Sequence, residues 1–542
     1  MSGLSKIQPA LSRLQDFLTR LMAYRRTPGM ALALFDANDL VHVMTIGHAD
    51  PEQRAPLARE TLFQIGSITK SFTALAIVQA VELGRLDLHA PVTHYLPWFR
   101  VQTQYSPVTL HHLLTHSAGL IGITDRSPDI RAAVWALRET EAAWAPGERF
   151  WYSDAGYQIL ALVLERLTGQ TFAQVLHEQI FQPLGMANSF GAVTHALRPR
   201  LARGYQSIYD DRPAHRDMPL IPAPFIEMSA GDCSIACTVE DMARYGRMLL
   251  NRGVGPGGKL LSEAGFARLS QPLMSIRVQN WEHYGYGIAM RQYDGFRHFG
   301  HGGGTPGFAA RLIVDADNGL GLALLSTTPS QPDAAWAILS LYRCAILGQP
   351  LDAVDLALPD PTTAPNATDY AGTYHAADGA SLTVIAAEER LYLSAGEAQE
   401  LLENRGEDCF YAPHPDFDRF LLVFKRNDAG RVVEVCHGGQ WYFNEQYTGP
   451  RRHDHPPEWN AYPGHYRAHN PWQTNFRVIL RKAELWLVWP AGDEEILIPL
   501  GEGVFQVGDG PSPERLRFDQ IVDGQALCAN LSACDYYRFF TP

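Results

Sequence analysis

The sequence predicts an α+β catalytic domain followed by two small antiparallel β-barrel domains. Three observations lead to this fold class: β-rich runs flank a helical region up to residue 350, a stretch rich in Pro and Asp follows, and short alternating strands fill the remainder. At 542 residues the chain is too long for one compact core. We predict a catalytic domain at 1–350, a linker at 351–368, barrel domain B at 369–455 and barrel domain C at 456–542.

The catalytic region begins and ends with strands. β-rich runs at 29–35 and 40–46 predict a strand pair, and strands are expected again at 285–291, 309–315 and 320–326. Helical periodicity predicts helices over 67–83, 155–167, 172–180 and 239–250. Because strands lie at both ends, we expect them to meet in one antiparallel sheet flanked by helices, beside a helical subdomain.

The C-terminal region contains two similar blocks. The first has strand-like runs at 382–386, 390–393, 420–425 and 432–437, and the second at 476–480, 485–488, 496–499 and 536–540. The blocks open alike, with Tyr370-Ala-Gly-Thr-Tyr374 and Tyr462-Pro-Gly-His-Tyr466. This repeat, at a spacing typical of one small barrel or sandwich, predicts two related β domains.

Composition excludes several classes of function. The net charge of −13 disfavours nucleic-acid binding, because an acidic chain repels phosphate backbones. The seven cysteines form no Cys-x-x-Cys pair, so we expect neither a metal nor a cofactor. No apolar run is long enough to span a membrane, and the N-terminal segment is typical of a surface helix and not of a signal peptide. We therefore expect a cytoplasmic protein without membrane partners.

Ser67-Ile-Thr-Lys70 is a candidate nucleophile motif. Serine needs a nearby base at neutral pH, and a lysine three residues later on a helix reaches the hydroxyl. The residues that follow Lys70 are apolar, so burial is expected to lower its pKa until the amine accepts a proton. At a helix N-terminus, a backbone N–H of the serine also points at the developing oxyanion. Alone, the tetrapeptide is better explained by a solvated surface pair.

Two further elements accompany this motif. Tyr152-Ser-Asp154 precedes an apolar helix, and a tyrosine beside a lysine ammonium is expected to have a lowered phenol pKa, which suits a general base. By itself it also fits a packed aromatic residue before a capped helix. The run from His298 to Phe308 holds glycines that permit close backbone approach, and both His298 and His301 fit a His-x-Gly pattern there.

In this order, the three elements resemble the three-motif signature of the serine β-lactamase-like superfamily, which includes penicillin-binding proteins. The segments 86–92, 108–120, 181–186 and 229–241 also resemble this family, and the resemblance extends from about residue 27 to 327. It implies a β-lactamase-like catalytic domain. With two C-terminal lipocalin-like barrels, the architecture resembles that of D-aminopeptidases.

The resemblance assigns roles to individual residues. It implies that Ser67 is the acylated nucleophile, Lys70 its proton partner and Tyr152 the base and later acid. His301 and Gly303 take the place of Lys and Gly in the family's Lys-Thr-Gly motif. The oxyanion would be bound by the backbone N–H groups of Ser67 and Gly304.

Two departures from the family pattern affect the expected substrate. Histidine in place of lysine is typical of the D-aminopeptidase and esterase branches and weakens a β-lactamase assignment. Asp154 replaces the usual asparagine. We hypothesise that this carboxylate either holds Lys70 charged, leaving the base role to Tyr152, or binds a substrate ammonium group.

We therefore predict a metal-free serine peptidase or amidohydrolase of short peptides, including D-residue or non-ribosomal ones. The alternatives are a carboxylesterase, a β-lactamase, or a catalytically silent binding protein. A small peptide or amide is the expected partner, and a homodimer is one possible assembly. The spacing of His111, His112 and His116 resembles that of metal ligands, but structural or surface roles are the favoured interpretation.

Overall fold

The computed structural model describes residues 3–122, 129–278, 281–329, 334–395 and 398–539. The chain divides into two compact units, Met1–Gln206 with Leu220–Ala357, and Ser207–Pro219 with Leu358–Pro542. We call them the catalytic unit and the barrel unit. Among the described residues, no helix combines the length and apolar character needed to cross a membrane.

The α-helices of the described residues all belong to the catalytic unit, whereas the barrel unit has only short 3-10 turns. They are α1 (Gly3–Arg25), α2 (Thr69–Glu82), α3 (Val92–Tyr95), α4 (Leu110–Leu114), α5 (Ile130–Ala136), α6 (Asp154–Thr168), α7 (Phe172–Leu176), α8 (Gln182–Leu184), α9 (Val239–Leu250), α10 (Glu263–Leu269) and α11 (Ala334–Leu347). Helix α2 is buried along most of its length, so its side chains meet protein on every side. A helix of this kind gives any polar residue on it an environment without bulk water.

The strands of the catalytic unit are β1 (Gly29–Asp36), β2 (Leu40–Asp50), β3 (Ala55–Pro56), β4 (Phe63–Gln64), β5 (Ser189–Phe190), β6 (Tyr205–Ser207), β7 (Leu220–Pro222), β8 (Ala236–Cys237), β9 (Val254–Gly255), β10 (Gly258–Lys259), β11 (Met274–Val278), β12 (Trp281–Tyr284), β13 (Ala289–Tyr293), β14 (Phe296–Thr305), β15 (Phe308–Asp315) and β16 (Leu320–Ser326), with β6 extending one residue into the barrel unit. The main sheet has the order β11-β12-β13-β14-β15-β16-β1-β2-β3. Strand β1 pairs antiparallel with β16, with Met30 opposite Ser326. The prediction that both ends of the region share one sheet is therefore confirmed.

The barrel unit contains β17 (Gly372–His375), β18 (Ser381–Ala387), β19 (Arg390–Ala395), β20 (Ala398–Leu401), β21 (Glu403–Gly406), β22 (Cys409–Tyr411), β23 (Leu422–Arg426), β24 (Val432–His437), β25 (Gln440–Phe443), β26 (Gly464–Arg467), β27 (Asn475–Arg481), β28 (Glu484–Val488), β29 (Glu494–Gly501), β30 (Val504–Val507), β31 (Arg515–Val522), β32 (Gln525–Leu531) and β33 (Cys534–Phe539). Strands β26 to β33 form a closed barrel, and β17 to β25 form one sheet that is open only between β20 and β21. The predicted fold class is thus confirmed.

The repeated tyrosine motif has the same structure in both barrels. The Tyr374 hydroxyl donates to the carbonyl of Tyr370 at 2.8 Å, and the Tyr466 hydroxyl donates to the carbonyl of Tyr462 at 2.7 Å. Tyr374 and Tyr466 are both fully buried, so each hydroxyl needs an internal acceptor. The repeat in the sequence therefore reflects a repeated hydrogen bond at the start of each barrel.

Near the site, the structure differs from one expected strand and assigns a strand to the glycine-rich run, for which no element was predicted. The strand expected from residue 285 begins only at Ala289, because Gly287 has a φ of +66° and the Gly285 N–H donates to the Ile288 carbonyl in a turn. The glycine-rich run expected to approach the substrate is part of strand β14, which pairs with β15 as far as Thr305 and Phe308.

The segment Ser207–Pro219 interrupts the catalytic unit and belongs to the barrel unit. Arg212 pairs with Asp418 of the first barrel at 2.6 Å, whereas Asp210 pairs with Arg467 of the second barrel at 2.5 Å. This segment therefore contacts both barrels through charged side chains. The domain boundaries predicted at residues 350, 368 and 455 stay predictions. They did not include the insertion of residues 207–219 from the barrel unit.

Candidate active site

Ser67 lies in the tight 3-10 turn Gly66–Ile68 immediately before α2. Gly66 has a φ of +51°, and a side-chain carbon there would lie 2.5 Å from the backbone nitrogen of Gly304. Only glycine allows both the backbone conformation and this close approach. The turn consequently brings the start of α2 against the glycine-rich end of β14.

Lys70 is fully buried, and its amine is surrounded by three acceptors. Nζ donates to Ser67 Oγ at 3.0 Å and to the Asp232 carbonyl at 3.1 Å, and it forms an ion pair with Asp154 Oδ1. An ammonium group has three N–H donors, so the charged form of Lys70 satisfies every partner. The site is thus built for a protonated lysine.

The charge balance around Lys70 overturns one sequence expectation. Burial acts to lower the pKa of Lys70, but Asp154, Tyr152 and Asp232 outweigh it and raise the pKa above its ordinary value. The expected lowering of this pKa was therefore wrong. The effect of Asp154 agrees with the hypothesis that this carboxylate holds Lys70 charged, whereas no motif indicated that Asp232 also lies near the amine.

Tyr152 lies just before α6, where the Ser153 side chain accepts a hydrogen bond from Gly156 N–H and caps the helix. The Lys70 amine is 4.8 Å from the centre of the Tyr152 ring. Burial raises the pKa of Tyr152 to about 12, even though Lys70 acts in the opposite direction. The expected lowering of the phenol pKa was also wrong, because desolvation exceeds the effect of one ammonium that Asp154 partly neutralises.

His116 is a site residue that the sequence reasoning placed among structural or surface histidines. Its ring stacks on Tyr152 with a centroid distance of 4.3 Å, and its Nδ1 accepts a hydrogen bond from Ser153 N–H at 2.9 Å. Burial holds its pKa well below the ordinary value, so the ring is neutral and fixes the plane of Tyr152. The segment 108–120 was already assigned to the family, but nothing in its spacing linked His116 to Tyr152; a structural or surface role was the favoured interpretation.

His301 and His298 lie on opposite faces of β14, because they are an odd number of residues apart. His301 Nε2 is 3.0 Å from the Tyr284 hydroxyl, and its Nδ1 contacts the Gly302 carbonyl. Burial and the nearby Lys70 lower the pKa of His301 to about 3, so its imidazole is neutral. His298 instead lies 3.6 Å from Asp315 and packs against Trp336. The structure places His301 with Ser67.

Gly303 and Gly304 are held against the Ser67 turn. A side-chain carbon at Gly303 would lie 1.9 Å from the Ile65 carbonyl and 3.0 Å from the Ser67 backbone nitrogen. Any larger residue at Gly303 would therefore separate β14 from the turn. This approach brings the backbones of Ser67 and Gly304 together, which is the arrangement that an oxyanion site needs.

A cavity of about 240 Å³ opens at Ser67. Its wall is formed by Ser67, Phe150, Tyr152, Ile276, Trp281, Tyr284, Ala289, His301, Gly302, Gly303 and Gly304. The described residues place no lysine, arginine or carboxylate in this wall, and Asp154 lies outside it. The Ser67 cavity is thus mainly aromatic and carries no charge of its own. Nowhere in the described part of the chain do three or more His, Cys, Asp or Glu residues group to hold a metal ion.

Several known proteins are similar to this chain in sequence. The model of the family described as Beta-lactamase matches residues 14–342. Penicillin-binding protein 4 of Amycolatopsis lactamdurans is 31% identical over 327 residues, which cover 58% of this chain and 84% of that protein. Esterase EstB of Burkholderia gladioli is 34% identical over 196 residues, covering 32% of this chain and 50% of the esterase.

A solved structure shares the fold. The octameric penicillin-binding protein homologue from Pyrococcus abyssi superposes with a TM-score of 0.58 at 24% identity, covering 80% of this chain and 100% of that one.

Proposed function

The chain belongs to the beta-lactamase family of serine hydrolases, and from that premise we propose that it cleaves an amide or peptide bond of short peptides through an acyl-enzyme on Ser67. The observation that carries the proposal is the 3.0 Å contact between the charged Lys70 amine and Ser67 Oγ, a residue that lines the Ser67 cavity. The nucleophilic hydroxyl, its charge partner and the site for the substrate carbonyl therefore lie together.

Tyr152 acts as the general base in this proposal, because Lys70 keeps its proton. Ser67 Oγ attacks the substrate carbonyl while its proton passes to the Tyr152 phenolate, which the ammonium of Lys70 stabilises. The backbone N–H groups of Ser67 and Gly304 hold the oxyanion. The C–N bond then breaks, and the leaving amine takes the proton from Tyr152.

Water completes the cycle by the same route. It loses a proton to Tyr152, attacks the acyl-ester, and Ser67 recovers its proton as the acid departs. His301 contributes a neutral imidazole, fixed by Tyr284, to the wall that faces the substrate. Gly303 lets β14 approach the turn closely enough for this geometry.

For Asp154, the geometry supports the role of holding Lys70 charged. Its Oδ1 pairs with Lys70, and the residue lies outside the Ser67 cavity wall. Substrate-ammonium binding by Asp154 is the weaker of the two hypotheses. If that role were real, Asp154→Asn would abolish a preference for peptides with free over acetylated N-termini.

Amide substrates are favoured by the Beta-lactamase family model and by the relative Penicillin-binding protein 4, since a β-lactam is a cyclic amide. An ester is the second candidate, because the uncharged aromatic wall suits a neutral acyl group and Esterase EstB is a relative. The same wall gives a penicillin carboxylate no cation, so β-lactamase activity is the least favoured.

The experiment is cleavage of a mixed library of short L-, D- and N-acetylated peptides, read by mass spectrometry, with Ser67→Ala as the control. Cleavage that the control loses supports the proposal. Hydrolysis of a chromogenic ester without peptide cleavage would replace it with the esterase candidate. Failure of every acylating probe to label Ser67 would favour a silent binding protein.

We also predict that the protein is cytoplasmic and that it assembles as a homodimer. Cell fractionation and light scattering of the purified chain test them separately from the chemistry.

A further inference from the structure

His116 occupies a backbone position at which glycine is usual. It follows the last turn of α4 with a φ of +54°, in the left-handed region. Its N–H donates to the Leu113 carbonyl at 3.2 Å, and the N–H of Ser117 donates to the His112 carbonyl at 2.9 Å. This pair of bonds ends a helix on a left-handed residue, a conformation that glycine adopts without strain and histidine does not. Because strain persists only where surrounding contacts hold it, the position indicates that the His116 side chain makes contacts that glycine cannot.

His116 holds the backbone on both sides of Tyr152. Its carbonyl accepts a hydrogen bond from the Trp151 N–H at 2.7 Å, and its Nδ1 accepts one from the Ser153 N–H at 2.9 Å. Both N–H groups belong to residues adjacent to Tyr152. Glycine at residue 116 could form the first bond but not the second. The side chain of His116 therefore completes the fixation of the segment that carries the proposed base.

The His116 ring also contacts three tyrosine rings. It is 1% exposed, and its centroid lies 4.3 Å from that of Tyr152, 4.9 Å from that of Tyr284 and 5.0 Å from that of Tyr157. Aromatic rings at such distances pack in defined orientations. Movement of the His116 ring would consequently disturb all three tyrosines at once.

Each of these tyrosines contacts a further group of the site. The Lys70 amine lies 4.8 Å from the centre of the Tyr152 ring and 5.8 Å from that of the Tyr157 ring, so two aromatic rings border the buried cation. The Tyr284 hydroxyl contacts His301 Nε2 at 3.0 Å. The contacts of the three rings thus extend from the proposed base to its charge partner and to the wall of the Ser67 cavity.

The protonation state of His116 excludes a part in proton transfer. Because Nδ1 accepts from the Ser153 N–H, the neutral ring carries its proton on Nε2. Nε2 is buried and has no hydrogen-bond partner among the described residues, so a proton has no path to or from the ring. Burial, Lys70 and His301 hold the pKa of His116 well below its ordinary value. His116 is also not part of the wall of the Ser67 cavity, so it is not placed to contact a substrate there.

We propose that His116 is a positioning residue, which fixes Tyr152 beside Lys70 and Ser67 and thereby sets the rate of acyl transfer without binding the substrate. The inference rests on the proposed acyl transfer at Ser67, to which it adds a residue that acts through Tyr152. A displacement of about 1 Å at a reacting group can cost about 10²-fold in rate. Loss of the His116 contacts should therefore slow the acylation step and leave the affinity for substrate unchanged.

Stopped-flow measurement of p-nitrophenolate release from p-nitrophenyl acetate gives the acylation rate constant and the dissociation constant of the ester separately. His116→Phe keeps an aromatic ring but removes the Nδ1 acceptor, so we expect the acylation rate constant to fall about 10²-fold. His116→Asn restores an acceptor and tolerates the left-handed backbone, so it should recover about tenfold of this loss. The dissociation constant should stay within about twofold in both variants, because neither change alters the cavity wall.

His112→Phe is the matched control. His112 lies in α4 itself, and its Nδ1 also accepts from a backbone N–H, that of Thr109, at 3.2 Å. Its ring packs against His111 and, in the part of the chain that the structure describes, against none of the three tyrosines. We expect His112→Phe to acylate at the wild-type rate.

Urea denaturation of each variant shows whether it is folded under the assay conditions. If His116→Phe is not folded, His116→Asn carries the test, and it should acylate about tenfold more slowly than the wild type because the ring contacts are lost. A wild-type rate in the folded His116 variants, or a weaker dissociation constant in place of a slower rate, would overturn the inference. So would a rate in His116→Asn no higher than that in folded His116→Phe, or an equal loss in His112→Phe.

Ser67→Ala separates this test from the proposed function. If Ser67→Ala releases p-nitrophenolate as fast as the wild type, the proposed nucleophile is wrong whatever the His116 variants show. If the wild type acylates and Ser67→Ala is inactive, the nucleophile stands, and the His116 variants alone decide the positioning role.

Discussion

Lys70 in the catalytic unit and Arg481 in the second barrel are both buried cations, but their partners differ. Arg481 is 5% exposed, and its guanidinium binds both carboxylate oxygens of Glu494, at 3.0 and 2.5 Å, and the Gly438 carbonyl at 2.9 Å. Lys70 shares its donors between a carboxylate, a carbonyl and the Ser67 hydroxyl. One partner of Lys70 is therefore a group that can react.

The comparison separates a structural charge from a functional one. A planar guanidinium on a planar carboxylate forms two parallel hydrogen bonds, so neither partner in this pair is a reactive group. Around Lys70, by contrast, the carboxylate oxygen Asp232 Oδ1 is buried and lacks a hydrogen bond to any described residue. Asp418 Oδ1 and Arg477 Nε in the barrel unit are also buried without a hydrogen bond to a described residue, so what distinguishes the site is the reactive Ser67 hydroxyl among the partners of Lys70.

The largest expected effect is that of removing the Lys70 charge. Lys70→Met should lower kcat/KM for a chromogenic ester by about 10³-fold, since the base and the nucleophile both lose their charge partner. Arg481→Met should leave kcat/KM within twofold of the wild type. Similar losses from both substitutions would remove the functional distinction between the two cations.

The next effect is on folding. Arg481→Met leaves Glu494 buried without its partner, so the free energy of unfolding of the barrel unit should fall by about 3 kcal/mol. Urea denaturation followed by the fluorescence of the barrel tryptophans measures this change. Arg481→Met combined with Glu494→Leu, which removes both charges, should recover most of the loss. No recovery would show that packing, and not the unpaired carboxylate, sets the cost.

The pH profile sharpens the assignment of the base. Lys70 remains protonated across the ordinary range because its pKa is raised, whereas the pKa of Tyr152 is raised to about 12. The phenolate is therefore scarce at neutral pH and becomes more abundant as pH increases. We expect kcat/KM to rise about tenfold per pH unit between pH 7 and 9, after subtraction of the Ser67→Ala rate. Tyr152→Phe should be nearly inactive, and a flat wild-type profile would exclude Tyr152 as the base.

The smallest effect concerns the repeated tyrosine bond. Tyr374→Phe and Tyr466→Phe each remove one hydroxyl donor to a carbonyl four residues earlier, so each should lower the free energy of unfolding by at least about 1 kcal/mol. Tyr466→Phe also removes an acceptor of Arg538 and should cost more. Chemical denaturation of the full chain measures both. A loss confined to one variant would mean that the two barrels do not use the motif equivalently.

Much of the fold and the central residues could be predicted from sequence, for physical reasons. Helix α9 occupies the predicted range 239–250, because its apolar face repeats at helical spacing and Thr238 caps it. Ser67, Lys70, Tyr152 and His301 are close together in the structure, as their motifs imply. Each motif is short and unspecific by itself. The order of the three along the chain is what indicated that their residues lie together.

The features that could not be predicted depend on contacts between segments that are far apart in the sequence. The raised pKa of Lys70 requires Asp154 and Asp232, which are far apart in sequence, to meet at one amine. His116 became part of the site only because α4 and α6 bring its ring onto Tyr152.

The insertion of Ser207–Pro219 into the barrel unit has a consequence for how such a gene can be shortened or recombined. The chain passes between the units at Gln206, at Leu220 and again after Ala357, so the barrels are not a simple C-terminal appendage. A stop codon after the catalytic unit would leave Asp210, Asp211 and Arg212 without the partners that they have in the barrels. The catalytic unit and the barrels are thus expected to be inherited as a matched set, and an exchange of barrels between relatives would succeed only if this segment moves with them.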